Sequence, residues 1–173
     1  MLQTRRLSLR NFCPADAQTL FICRNDPRCS RHQRYGATEP EALEAFVRDY
    51  AHSLFPSREE EQHYAVVRTD SGEMIGDLSV FYTPADRCFT LGITIAPHCH
   101  RQGFACELLG EVTARLRAFD PAAEIVALIE RDNVPSIALF RKLGFMEECW
   151  AESIQSYVYT LGGNAAPEPA PSR

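Results

Sequence analysis

A mixed α/β (α+β) single domain is predicted, and three observations predict it. Several short segments alternate apolar and polar residues at period two, others repeat apolar residues at helical spacing, and one long helical segment lies between two strands. Strands joined by a crossover helix run parallel, whereas the short turns elsewhere favour antiparallel hairpins. The expected architecture is therefore a mixed, mostly antiparallel sheet flanked by helices.

The elements follow in order. Leu7 and Leu9 alternate with Ser8 and Arg10, which predicts an opening strand over Arg5 to Phe12. Pro14 begins a helix carrying Leu20, Phe21 and Ile22, and Asn25, Asp26 and Pro27 stop it. A second helix is expected over 39–54, with Thr38 and Glu41 at capping-box spacing and Leu43, Phe46, Val47, Tyr50 and Leu54 on one face. Strands His63 to Thr69, Glu73 to Thr83 and Cys88 to Ala96 follow, joined by Ser71-Gly72 and Pro84-Ala85-Asp86 turns. Phe104 to Phe119 returns to helical spacing through Leu108, Leu109, Val112 and Leu116. A strand over Glu124 to Glu130, a short helix over 134–143 closing at Gly144, and strands over 145–152 and 154–161 complete the domain. The domain is expected to span 1–161, and the Gly/Ala/Pro-rich stretch 162–173 to be a solvated tail.

Composition narrows the function classes. A chain of 173 residues with 45% hydrophobic and 24% charged residues is globular in type. Its net charge of −5 disfavours a nucleic-acid partner. No apolar run approaches the roughly 20 residues of a membrane span, and the N-terminus lacks the apolar block of a secretory signal. A cytoplasmic location without a membrane partner is expected. Seven cysteines, odd in number and without Cys-x-x-Cys, fit a reducing compartment. Cys29, His32, His98, Cys99 and His100 lack the paired spacing of a zinc site, so no metal is expected.

The most informative stretch runs from Leu91 to Leu109, a strand leading through a loop into a helix. The first amides of a helix lack partners and attract an anion, and Gly103 lets the backbone approach a phosphate where a β-carbon would collide. An ordinary strand-to-helix turn would use the same glycine. A second stretch, Asn133 to Phe145, follows the strand at Val126 to Ile129. Asn133 there suits a helix N-cap, with Pro135 in the first turn.

Together these two stretches resemble the GNAT superfamily of acetyl-CoA-dependent N-acetyltransferases, over about 4–161. The ends, Thr4 to Arg10 and Tyr157 to Leu161, are similar to its ribosomal-protein-acetylating branch. The resemblance implies a GNAT-like fold whose parallel strands splay to admit CoA. It places backbone groups of Ile93, Thr94 and Ile95 against the pantetheine arm and implies that His100, Arg101, Gln102, Gly103, Phe104 and Ala105 cradle the pyrophosphate. Gly92 and Pro97 suggest that the strand is interrupted there. Asn133 and Ser136 would line the thiol end, with Phe140 on the same helix.

Three departures bear on mechanism. His100 stands where relatives usually carry Gln or Arg, Phe140 where many carry the tyrosine that protonates the leaving thiolate, and Thr90 where many carry glutamate. Ser136 is the nearest hydroxyl and the candidate catalytic proton donor. Asp77, Glu130, Glu152, His63 and Tyr82 are the candidates for the base, and none is singled out. A strand amide near Ile95 suits an oxyanion. Arg24, Arg28, Arg31 and Arg34 form either a solvated loop or a grip for an anionic group on the acceptor. The function expected is acetyl transfer from acetyl-CoA to a primary amine, a protein N-terminus or a small molecule. The alternative is a CoA-binding sensor without turnover.

Overall fold

The structure, a computed structural model, describes residues 1–33 and 38–162. Strands β1 (Leu2–Gln3) and β2 (Leu7–Arg10) lead into helices α1 (Asp16–Asn25), α2 (Pro27–Ser30) and α3 (Pro40–Asp49). Strands β3 (Glu61–Arg68), β4 (Met74–Thr83) and β5 (Cys88–Ile95) follow, then α4 (Phe104–Phe119) and β6 (Glu124–Ile129). Helix α5 (Val134–Lys142) and strands β7 (Phe145–Ala151) and β8 (Ser156–Leu161) complete the order. One eight-stranded sheet, ordered β1-β2-β3-β4-β5-β6-β8-β7, carries them all. Among the described residues its one parallel pair is β5 with β6, on either side of α4.

The two faces of the sheet bury different residues, as period-two alternation requires. Tyr64, Leu78 and Phe89 pack with Leu108, Leu109, Val112 and Leu116 of α4 on one face. Ala65 and Val67 pack on the other with Phe12, Leu20 of α1, and Leu43 and Val47 of α3. Full burial of each large apolar side chain contributes about 1.5–3 kcal/mol, which fixes α4 along the crossover pair. α1 and α3 cover the face from which the site opens.

Several expectations change. α3 starts at Pro40 behind an extended Glu39, and the capping box at Thr38 and Glu41 does not form, because proline drives its predecessor out of the helical region. α3 also ends at Asp49, and Leu54 lies 67% exposed, off the apolar face. β5 is continuous to Ile95 rather than interrupted at Gly92, whose missing β-carbon would otherwise meet Ser79 Oγ at 2.4 Å. The tail from 163 onward and Arg34 lie outside the described residues.

Candidate active site

β5 and β6 pair only through Cys88, Phe89 and Thr90, opposite Glu124, Ile125 and Val126. Beyond Thr90 the two strands continue without pairing, so each leaves a backbone edge facing a gap. Ala96 N–H donates to the carbonyl of Ile75 at 2.7 Å, which sets the ladder phase. In that phase Asp77 and Thr94 face each other across β4 and β5, and Ile93 and Ile95 turn their backbone groups to the gap. The Ile93 carbonyl accepts from Gln33 Nε2 at 3.3 Å, and the Ile95 carbonyl lies 2.6 Å from His100 Nε2. Of the three residues expected along the cofactor arm, Ile93 and Ile95 thus border the gap, and Thr94 offers it no backbone group.

The loop after β5 ends at Gly103, which takes a left-handed φ of +80° as the N-cap of α4. No side chain caps this helix, and its first intrahelical bond is from Glu107 N–H to the Gly103 carbonyl. The amides of Phe104, Ala105 and Cys106 therefore have no helical acceptor, an arrangement that suits a phosphate. Arg101 is also left-handed, at φ +59°, and Arg101, Gln102 and Gly103 are exposed. His100 turns its imidazole back to Ile95 rather than toward the helix end. Phe104 is buried under the guanidinium of Arg6, 4.4 Å from its ring centre.

Arg6 joins this loop from the other end of the chain. Its Nε donates to Glu107 Oε2 at 2.6 Å and its Nη1 to the Gln102 carbonyl at 3.0 Å. A guanidinium therefore stands beside the unpaired amides and neutralises the carboxylate of the first helical turn. Sequence reasoning missed it because 101 residues separate Arg6 from Glu107 and no local pattern connects them.

On the other side of the gap, Asn133 Oδ1 accepts from Ser136 N–H at 3.3 Å and caps α5. Ser136 is half-buried. Phe140 is 2% exposed and packs edge-on against Phe145 in the core.

A cavity of about 250 Å³ opens between the gap and the α1–α2 segment. Asp77, Ser79, His63, Arg24, Glu130 and Thr94 are among its lining residues. Asp77 is 5% exposed and its Oδ1 has no hydrogen-bond partner. Burial pushes its carboxyl up to about 6, against the opposing charge of Arg24. His63 Nε2 lies 2.9 Å from Glu61 Oε1, and burial pushes its imidazole below the usual histidine range. Glu130 is held 2.9 Å from His32 Nδ1. The five candidate bases therefore divide. Asp77, His63 and Glu130 reach this cavity, Tyr82 stacks on Phe89 in the core, and Glu152 accepts from Trp150 Nε1 beside a second cavity.

Two arginines of this loop, Arg28 and Arg31, are engaged with the protein's own carboxylates. Arg28 pairs with Asp26 at 2.6 Å and Arg31 with Asp132 at 3.0 Å, while Arg24 lies over the Phe46 ring and lines the cavity. No helix among the described residues is long and apolar enough to cross a membrane.

The sequence model of the acetyltransferase (GNAT) domain matches residues 6–146. An uncharacterized N-acetyltransferase of Bacillus subtilis (strain 168), YoaA, is 28% identical over 167 residues, which is 94% of this chain and 90% of that one. Among solved structures, a Vibrio cholerae protein provisionally named a ribosomal-protein-serine acetyltransferase superposes with a TM-score of 0.76 at 20% identity, covering 92% of this chain and 95% of that one. The spermidine N-acetyltransferase of the same organism, solved with CoA and spermine, superposes with a TM-score of 0.70 at 18% identity, covering 89% and 92%.

Proposed function

The chain belongs to the acetyltransferase (GNAT) family of N-acetyltransferases, and from that premise we propose that it moves an acetyl group from acetyl-CoA directly to a primary amine. The observation that carries this reading is the parting of β5 and β6 beyond Thr90 and Val126, next to the uncapped N-terminus of α4. The residues fit the donor substrate: Ile93 and Ile95 offer backbone groups to an amide-bearing arm, and Gly103 with the amides of Phe104 and Ala105 offers a place for a pyrophosphate. Arg101 and Gln102 complete that loop, with Arg6 behind it. When bound, acetyl-CoA supplies a thioester carbonyl open to attack.

The chain's own residues then divide the work. The Ile95 amide can donate to the developing oxyanion, as a preorganised backbone donor does in acyl transfer. Ser136, whose backbone N–H is capped by Asn133 at the start of α5, would give a proton to the departing sulfur. The amine enters through the cavity lined by Asp77, Ser79 and Thr94.

The acceptor is a protein N-terminus or a small-molecule amine. The sequence ends support the ribosomal-protein-acetylating branch. Arg24, which lines the cavity, would meet a carboxylate or phosphate on the acceptor. Seven cysteines without Cys-x-x-Cys support a cytoplasmic address, and the end of β8 at Leu161 supports a domain over 1–161.

Thiol release from acetyl-CoA with a panel of primary amines tests the reading. Steady release with at least one amine is expected. Tight acetyl-CoA binding with no release from any amine would favour a CoA-binding sensor. In the folded Gly103→Val variant, acetyl-CoA affinity should fall at least tenfold, because Gly103 is left-handed and an added β-carbon would lie 3.5 Å from Arg6 Nη2 beside the helix end.

A further inference from the structure

We propose that Asp77 is the catalytic residue that receives the acceptor's ammonium group and takes its proton, an inference resting on the N-acetyltransferase reading above. Its carboxyl is 5% exposed, forms part of the cavity wall, and keeps one oxygen, Oδ1, without any hydrogen bond. A buried acceptor atom left unpaired is costly unless something else fills its place, and an ammonium N–H would fill it. The position suits the reaction. Asp77 lies directly opposite Thr94, so it is one strand, about 4.8 Å, from the β5 backbone whose next residues border the gap.

The competing groups are worse placed or already engaged. Glu130 is bound to His32, and β5 itself carries Thr90 rather than a carboxylate. His63 has an unpaired Nδ1, but it pairs with Ser79 from β3 and is therefore one strand farther from the gap. Among the described residues, the charged and titratable groups around Asp77 are Arg24 and Cys23 of α1, Cys29 of α2 and His63 of β3, with His32 and Glu130 on the same cavity wall. Among the described residues, Arg24 is the cation that acts on the Asp77 carboxyl, and burial outweighs it. The carboxyl is thus ionised at neutral pH yet more basic than an ordinary carboxylate, as a general base should be.

The atoms balance as follows. Asp77 takes one proton from the ammonium, leaving the nitrogen lone pair free to attack the acetyl carbon. The carbon–nitrogen bond forms and the carbon–sulfur bond breaks, with its electron pair leaving on sulfur. As the carbonyl re-forms, the Ser136 hydroxyl gives its proton to the departing sulfur and is reprotonated by the second proton lost from nitrogen, so that the products are the amide and the free thiol. Asp77 returns its own proton to solvent once the amide has left.

The test compares wild type with Asp77→Asn, using acetyl-CoA and benzylamine, spermidine or a seryl tripeptide amide, whichever wild type turns over fastest. Methoxyamine, whose nitrogen is unprotonated at neutral pH, serves as a second acceptor. The variant is expected to lose about 100-fold or more of kcat/KM with the alkylamine or peptide, the size of a general-base contribution. It should keep its acetyl-CoA affinity and lose less than tenfold with methoxyamine. The wild-type kcat/KM profile for the protonated acceptor should carry an acidic limb at about 6. Loss of equal size with methoxyamine, retention within threefold of wild-type rate, or a wild-type profile without that limb overturns the assignment while leaving acetyl transfer in place. The limb is measured on wild type, so it decides even if the variant fails to fold. Absence of wild-type turnover with all four acceptors would instead remove the N-acetyltransferase reading, and the assignment with it.

Discussion

A β-carbon on Gly76 would lie 2.0 Å from the carbonyl oxygen of Thr94. Gly76 sits at the β-bulge where Val66 pairs with Gly76 but Val67 pairs with Met74. The bulge re-aims β4 just before Asp77, as bulges next to functional positions commonly do. Neither strand can yield locally, because the neighbour is backbone. Gly76→Ala should therefore destabilise the fold by about 1–3 kcal/mol through overpacking and also weaken acetyl-CoA binding by shifting Ile93 and Ile95. Urea unfolding and a binding titration measure the two effects. A variant of wild-type stability would show that β4 and β5 move apart without cost.

Arg6 neutralises Glu107 one turn inside α4, where the carboxylate would otherwise repel a pyrophosphate. Arg6→Ala should weaken acetyl-CoA binding about tenfold or more, through loss of its own charge and exposure of that carboxylate. Adding Glu107→Gln should recover part of the loss. Isothermal titration of the two single variants and the double variant at low salt gives the coupling. Strictly additive effects would place the pair in stability alone.

The site was legible in the sequence where neighbours along the chain make it. Gly103 and the cap from Asn133 to Ser136 are each formed within a few residues, so a local pattern reveals them. Arg6 against Glu107 is a contact set by how β2 packs beside α4, and no spacing records it. Asp77 and Tyr82 are five residues apart on one strand, and alternation puts them on opposite faces. That parity was available from the sequence, but which face carries the cavity depended on where α1 and α3 settle. Phe140 was expected beside the cofactor because of its place in the motif, and its edge-on contact with Phe145 is one that the motif does not record. The capping box near Thr38 failed for a local reason that the motif does not encode, the backbone restriction imposed by Pro40.

Ser136 should be separable as proton donor and as part of the α5 cap. The cap uses its backbone N–H, which Ser136→Ala retains, so the helix and acetyl-CoA affinity should be unchanged. kcat should fall about tenfold or more, because a thiolate leaving without a nearby donor relies on water. The loss should shrink when the leaving thiol is made more acidic. An unchanged kcat would assign the proton to solvent.

Asp77 also makes a stability prediction whose sign differs from that of a paired carboxylate. Its folded-state pKa is raised to about 6 from an ordinary 3.8, so the fold favours the protonated form. The stability is fully present below the ordinary value, declines as pH rises through about 6, and stays lower above it. The penalty for carrying the ionised carboxyl at pH 8 is on the order of 3 kcal/mol. Asp77→Asn removes the ionisation while keeping shape, so the variant should be more stable than wild type at pH 8 and gain little or nothing at pH 4. Urea unfolding midpoints across that range measure the difference. A wild type as stable as the variant at pH 8 would mean that another group, Arg24 foremost, compensates the charge in the folded state, and the carboxyl would then lack the raised basicity that suits it to take a proton.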